Sequence, residues 1–218
     1  MKRHYPAEVP TIEAVIFDFG GVLVTSPFDV MGRAGKASGL DEGVMLELLM
    51  GDYAADDDHP WHRLERGEIT FAEYATDLQQ RASSAGIDLS KGSAGIYERL
   101  EVHPEVVDRV RALRHDGYAT ALLTNNVKEF GEAWRALVPL DELFDVVVDS
   151  CEVGMRKPNP RIYEHTLREL GGVAPAASVF LDDAEGNVEA ARKVGMQAIL
   201  VRQPADALAE LDTILRRD

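Results

Sequence analysis

The sequence predicts an α/β protein: a parallel sheet with helices on both faces, interrupted once by an all-helical insertion. Three observations predict it. Short apolar runs, each closed by polar residues, alternate along the chain with helical patterns. These runs are apolar at successive positions rather than at every second one, as strands buried on both faces require. Between about Pro27 and Leu100, by contrast, no strand-like run occurs. The chain has 218 residues, enough for one well-buried core carrying a modest insertion and short for two full-sized domains.

The first strand is Ala14-Val15-Ile16-Phe17, bounded by Asp18 and by the turn residues Gly20-Gly21. In the insertion, Val44 to Leu49 reads as helix. Thr70-Phe71-Ala72-Glu73 is a capping box opening a second helix that runs to about Ser83, and Ser93 to Leu100 reads as a third. Pro104 to His115 starts on a proline, places Val106, Val107, Val110 and Leu113 on one face, and stops before Gly117. The strand Ala119 to Leu123 ends at Thr124-Asn125-Asn126, and the strand Phe144 to Val148 ends at Asp149-Ser150. Pro160 to Leu170 repeats the helical pattern with Ile162, Leu167 and Leu170, stopped by Gly171-Gly172. Val179-Phe180-Leu181 ends at Asp182-Asp183, a helix from Asn187 to Val194 closes on Gly195, and Ala198 to Val201 is the last strand. A final helix, about Ala205 to Arg216, carries Leu208, Leu211 and Leu215; it packs as readily on its own core as on a partner, so oligomeric state is not legible.

Charge excludes some classes of function. The formal net charge of −15 repels nucleic acid and anionic membrane surfaces and offers no basic footprint. No apolar run approaches the ~18 residues of a membrane span. Met1 to Pro10 lacks the apolar stretch of a secretory signal. Cys151 is the sole cysteine, which excludes an internal disulfide and a thiolate metal cluster and makes a reducing cytosol the default location. The run Asp56-Asp57-Asp58 reads as solvated surface, because three adjacent carboxylates do not easily converge on one ion.

In open α/β sheets, ligands bind at the carboxyl ends of the strands. The residues that follow the strands are therefore the site candidates: Asp18, Thr124 with Asn125, and Asp182 with Asp183. Lys157 joins them from the loop Gly154-Met155-Arg156-Lys157-Pro158. Taken singly, such residues cap helices and finish turns as often as they do chemistry. Together, three carboxylates, a hydroxyl and an amine suit a hard cation such as Mg²⁺ and a bound phosphate. A bare acidic cluster repels itself, so a cation is expected on electrostatic grounds.

Phe17-Asp18-Phe19-Gly20-Gly21-Val22-Leu23, Leu123-Thr124-Asn125, Arg156-Lys157-Pro158 and Phe180-Leu181-Asp182-Asp183 resemble, in order and along the whole chain, the four motifs of the haloacid dehalogenase superfamily. Within it the chain looks like the N-terminal phosphatase domain of soluble epoxide hydrolase and the N-terminal domain of certain acyl-CoA dehydrogenases. Gly154 to Pro158 with Arg161-Ile162-Tyr163 also resembles bacterial α-D-glucose-1-phosphate phosphatase. The resemblance implies a Rossmann-like core, residues 1–25 and 101–218, with a helical cap at 26–100. It implies a Mg²⁺-dependent phosphatase of a small phosphorylated metabolite. Asp18 would be the nucleophile that forms an aspartyl-phosphate. Thr124 and Asn125 would bind phosphoryl oxygens, and Lys157 would neutralise charge on Asp18 and the phosphate. Asp18, Asp183 and the Gly20 carbonyl would hold Mg²⁺, with Asp182 in support, while backbone N–H groups at Phe19 and Gly20 cradle the phosphate.

Gly20 departs from the family pattern, which places there a second aspartate to protonate the leaving oxygen and activate water. Its backbone keeps the metal contact, but the acid–base role is lost, as in the glucose-1-phosphate phosphatase and acyl-CoA dehydrogenase relatives. A steep dependence of rate on leaving-group acidity is the expected result. Two other readings compete with the phosphatase. A 2-haloacid dehalogenase would use the same nucleophile on carbon without metal, but needs neither Asp182 nor Asp183. A weakly catalytic phosphate-binding module has only Gly20 in its favour. His59, His62 and Arg63 are the cap residues expected to influence substrate choice, and either histidine could replace the missing acid, although packing or solvating a helix start is the commoner role. His4, His103, His115 and His165 suggest no role, and Cys151 reads as an inert thiol.

Overall fold

The computed structural model describes residues 11–28, 41–87 and 100–216. In chain order the core opens with β1 (Ala14–Phe17), and the described residues of the insertion include α1 (Glu42–Met50), α2 (Pro60–Glu65) and α3 (Phe71–Ser84). The core resumes with α4 (Pro104–His115), β2 (Ala119–Thr124), α5 (Gly131–Arg135), α6 (Leu140–Leu143), β3 (Val146–Asp149) and α7 (Ser150–Val153). It finishes with α8 (Pro160–Glu169), β4 (Ser178–Asp182), α9 (Glu185–Val194), β5 (Gln197–Leu200) and α10 (Pro204–Leu215). Among the described residues the strands pair in parallel, in the order β3-β2-β1-β4-β5.

Alternation along β1 explains the two helical layers. Val15 and Phe17 point to one face, where Val106, Val107, Val110 and Leu113 of α4 and Ala207 and Leu211 of α10 cover them. Ile16 points to the other, against Ile162, Tyr163 and Leu167 of α8 and Val188 and Ala191 of α9. Val15, Ile16 and Phe17 have no exposed surface. Each such side chain gains about 1.5–3 kcal/mol by burial, which holds the central strand in place.

The insertion is a helical cap, as expected. Thr70 and Glu73 form the expected box: the Thr70 N–H donates to Glu73 Oε2 at 2.7 Å and the Glu73 N–H to Thr70 Oγ1 at 3.3 Å. The chain crosses between core and cap over a narrow seam, where the Thr25 N–H donates to the Glu101 carbonyl at 2.8 Å and the His103 N–H to that of Leu23 at 2.9 Å. The expected helix over Ser93 to Leu100 lies outside the described residues except for Leu100, which is not helical.

Some expected boundaries move. Phe144 and Asp145 precede β3 rather than belong to it. The Phe144 ring packs on Phe17 with centroids 6.3 Å apart, and Asp145 Oδ2 accepts the Thr120 N–H at 2.9 Å. Helix α9 begins two residues before Asn187, at Glu185. The short helices α2, α5, α6 and α7 span four to six residues, too few for a helical period to show in sequence. No helix among the described residues is long and apolar enough to cross a membrane.

Candidate active site

Register brings the candidates together. Phe17 pairs with Leu122 of β2 and Leu181 of β4, so the next residue of each strand, Asp18, Leu123 and Asp182, falls at the same sheet edge. Neighbouring parallel strands lie about 4.8 Å apart, within reach of short side chains. The Asp18 N–H donates to the Leu181 carbonyl at 2.9 Å, which carries the pairing one residue past β1. This edge is also the switch point of the sheet, where the chain leaves β1 for β2 on one side and places β4 on the other.

Lys157 enters from the loop between α7 and α8, held there by Asn125. Asn125 Oδ1 accepts the Lys157 N–H at 2.8 Å, and its Nδ2 donates to the Lys157 carbonyl at 2.9 Å. The amide that was expected to bind a phosphoryl oxygen therefore clasps the lysine's backbone in this structure. The Lys157 ammonium is fully buried and has three acceptors for its three protons: Asp18 Oδ1 at 2.8 Å, Asp182 Oδ2 at 2.7 Å and the Leu123 carbonyl at 3.0 Å. Burial alone would lower its pKa, but the carboxylates of Asp18 and Asp182 more than offset this and raise it, so the lysine stays charged.

The three carboxylates differ in what they have left to give. Asp182 is saturated by protein donors, since Oδ1 also accepts the Ala184 N–H at 2.8 Å and Asn187 Nδ2 at 3.0 Å. Asp18 Oδ1 accepts Lys157 and the Phe19 N–H at 2.6 Å, and among the described residues Oδ2 is not engaged. Asp183 Oδ2 accepts the Ser26 hydroxyl at 2.7 Å. One ligand oxygen from each of Asp18, Asp182 and Asp183 can lie within 4.8 Å of the others. Burial, against the pull of Lys157, pushes the Asp18 pKa well up, and the charges on Asp182 and Asp183 add to the rise. Asp183 is pushed up to about 7 by burial and by Asp182. One ammonium does not balance three carboxylates. An oxygen-rich cluster with excess negative charge fits a hard divalent cation.

Backbone shape protects this cluster. Gly21 has φ +73°, and a Cβ there would collide with the Asp183 carboxylate. Gly20 lies against the ring of Pro27. Phe19, Gly20, Thr124 and Asn125 line, with Asp18, a cavity of about 80 Å³ beneath the cap. Thr124 is buried at its wall, and its hydroxyl makes only a long contact, 3.5 Å, to the Asn125 carbonyl.

The cap residues that reach the cavity are not the expected ones. Neither His59, His62 nor Arg63 lines it. His59 caps α2 through the Trp61 N–H at 3.2 Å and lies 3.2 Å from Arg81, His62 is buried against Asp57, and Arg63 pairs with Glu68. Tyr53 and Glu65 line it instead. The Tyr53 hydroxyl donates to Glu65 Oε1 at 3.2 Å and accepts from Asn125 Nδ2 at 3.4 Å, and Arg156 Nε pairs with Glu65 Oε2 at 2.7 Å. Burial raises the Glu65 pKa, against the pull of Arg156. Arg156 also donates to the Ala55 carbonyl, so the loop that carries Lys157 grips the cap one residue earlier.

Asp56 corrects another expectation. It is not simply solvated: Arg66 and Asn159 both donate to its carboxylate, the latter at 2.9 Å, which ties the cap to the start of α8. Cys151 fits its expected inertness, because burial and the neighbouring Asp149 push its thiol up to about 12. Asn187 went unassigned in the sequence. Its position five residues past Asp182, on the first turns of the following helix, is the pattern that would have marked it.

The fold and site define a Rossmann-like α/β core with a helical cap over an aspartate–lysine cluster. Residues 12–195 match the model of the haloacid dehalogenase-like hydrolases, and the chain belongs to that family. It is 34% identical over 212 residues to mouse acyl-CoA dehydrogenase family member 10, covering 93% of this chain and 19% of that protein. It is 29% identical over 220 residues to mouse bifunctional epoxide hydrolase 2, covering 93% of this chain and 39% of that protein. The chain thus spans well under half the length of these two relatives. A Bacteroides thetaiotaomicron HAD-family enzyme, solved in complex with magnesium and inorganic phosphate, superposes with a TM-score of 0.60 at 22% identity, covering 88% of this chain and 96% of that one.

Proposed function

We propose that the chain is a Mg²⁺-dependent phosphomonoester hydrolase that works through an aspartyl-phosphate on Asp18. The observation that carries this reading is the charge arrangement: one buried lysine shared between Asp18 and Asp182, with a third carboxylate, Asp183, left to a cation. A 2-haloacid dehalogenase without metal has no use for that third carboxylate. Asp18, Asp183 and the Gly20 carbonyl would hold Mg²⁺, while Asp182, whose oxygens are already satisfied, would fix Lys157 and the loop. Bound there, the cation would offset charge on the phosphoryl group and orient it toward Asp18.

The chain's own residues supply the rest. Lys157 holds Asp18 Oδ1 and so leaves the other carboxylate oxygen to face the substrate. Thr124 and the N–H groups near Phe19 and Gly20 would bind phosphoryl oxygens. Apart from Asn126, the remaining wall is apolar, with Phe28, Met50, Trp61, Leu100, Val127 and Phe130 among its residues. It suits a small phosphorylated metabolite whose ester group is apolar or aromatic rather than a bare polyol.

Turnover of 4-nitrophenyl phosphate, with and without chelator, tests the reading. Activity should vanish with chelator, return with Mg²⁺ and fall to background in Asp18→Asn, which keeps the shape but removes the nucleophile. Full turnover in metal-free buffer, or an Asp18→Asn variant that keeps most of its rate, would refute it.

A further inference from the structure

We infer that Tyr53, reaching into the cavity from the cap, is the acid–base group that Gly20 does not supply: it gives its phenolic proton to the departing ester oxygen and recovers one from the attacking water. This rests on the phosphatase reading above. Among the described residues that line the cavity, only Asp18, Tyr53 and Glu65 carry titratable side chains. Asp18 is the nucleophile, and Glu65 is bound to Arg156 at 2.7 Å. The proton free to move is that of Tyr53.

The structure holds the ring as a positioned acid would be held. Phe28 packs edge-to-face on it with centroids 4.7 Å apart, and the Arg156 guanidinium lies 4.9 Å from the ring centre. The hydroxyl receives a hydrogen bond from Asn125, the neighbour of Thr124, and gives one to Glu65. A hydroxyl hydrogen rotates freely about its C–O bond, so it can turn from Glu65 to a ligand oxygen without moving the ring. Burial and the Glu65 charge keep the phenol protonated before reaction, and the guanidinium beside it offsets the negative charge once the proton has left.

The two half-reactions balance. In the first, Asp18 Oδ2 bonds to phosphorus, the ester P–O bond breaks, and the departing oxygen takes the Tyr53 proton, leaving the alcohol and a phenolate. In the second, water gives that phenolate a proton as its oxygen bonds to phosphorus. The acyl–phosphate P–O bond then breaks, releasing phosphate and restoring both the Asp18 carboxylate and the phenol. Water is the only co-reactant.

Tyr53→Phe keeps the ring against Phe28 and Arg156 and removes only the hydroxyl. The experiment measures kcat/KM for parent and variant, both with Mg²⁺, on phosphate esters of graded leaving-group pKa, from 4-nitrophenyl to simple alkyl. Thermal unfolding of each checks the fold. General acid help grows with the basicity of the leaving group. The variant should lose ~10²-fold or more on alkyl esters and stay within a factor of about three of the parent on 4-nitrophenyl phosphate, so its dependence on leaving-group pKa is the steeper. Equal losses on every ester would make Tyr53 a binding or packing residue, and no loss on any would remove it from the reaction; either overturns the inference and leaves the phosphatase reading standing. A parent inert toward all the esters with Mg²⁺ present overturns both.

Discussion

The ring of Pro27 occupies the space that a side chain on Gly20 would need: a Cβ built on Gly20 would lie 2.7 Å from Cδ of Pro27, closer than such atoms approach in real structures. The position is closed to the family's second aspartate, because a proline ring cannot swing aside.

Gly20→Asp should therefore not gain an acid. Overpacking against Pro27 should cost about 1–3 kcal/mol of stability, and the turnover of alkyl phosphates should not rise. Pro27→Gly combined with Gly20→Asp should recover most of the lost stability. Melting temperatures and alkyl-phosphate rates of the three proteins check this. A single Gly20→Asp variant as stable as the parent and faster on alkyl esters would contradict it.

Lys157→Met keeps most of the side-chain volume and deletes the charge shared by Asp18 and Asp182. Two buried carboxylates then face each other without a cation, and the stability lost at neutral pH should be about 3–5 kcal/mol. Burial already raises the Asp18 pKa against the pull of Lys157, and without the ammonium that rise is unopposed, so folding weakens as pH rises and this carboxyl is forced to ionise. The variant's deficit relative to the parent should shrink at pH 5. Denaturant unfolding at the two pH values tests this, and an unchanged deficit would argue against it.

Mg²⁺ should compete with a proton on Asp183. Burial and Asp182 push this carboxyl up to about 7, above its value in the unfolded chain. Between those values the folded, metal-free protein holds the extra proton, so its stability falls as pH rises through the interval. Mg²⁺ binding at pH 6 should release about one proton, and apparent affinity should fall about tenfold per pH unit below 7. Calorimetry in buffers of different ionisation enthalpy reads the release directly. No proton release at pH 6 would show that the metal does not use this carboxylate.

Cys151 should resist alkylation. Burial and Asp149 push the thiol up to about 12, so almost no thiolate exists at pH 8, where a free cysteine, with a pKa of about 8.5, is partly ionised. Iodoacetamide labelling followed by mass spectrometry should be slow in the folded protein and fast after denaturation. Rapid labelling of the native chain would contradict this.

What was legible in the sequence follows from distance along the chain. Asp18 and the Asp182-Asp183 pair declared themselves because each directly follows an apolar run, and parallel strands deliver their ends to one edge. Helix α4 was legible because twelve residues leave room for its apolar face to repeat. Tyr53 had no such mark, since its hydrogen-bond partner Asn125 lies 72 residues away. The Glu65–Arg156 pair, 91 residues apart, was equally hidden, although Arg156 stands in a recognised motif. His59 and His62 drew attention by residue type, yet His59, at the cap of α2, lies against Arg81, and His62, within α2, lies against Asp57; neither lines the cavity.

Arg156 and Lys157 are neighbours in the chain but serve different masters: the first grips the cap, the second the nucleophile. Asn125 fastens the Lys157 backbone at both its N–H and its carbonyl. The same Asn125 amide donates to the Tyr53 hydroxyl of the cap at 3.4 Å, so the cap and the anchorage of the lysine share one side chain. A cap reshaped for a different guest would therefore be felt, through Asn125 and Arg156, in the loop that holds the ammonium on Asp18.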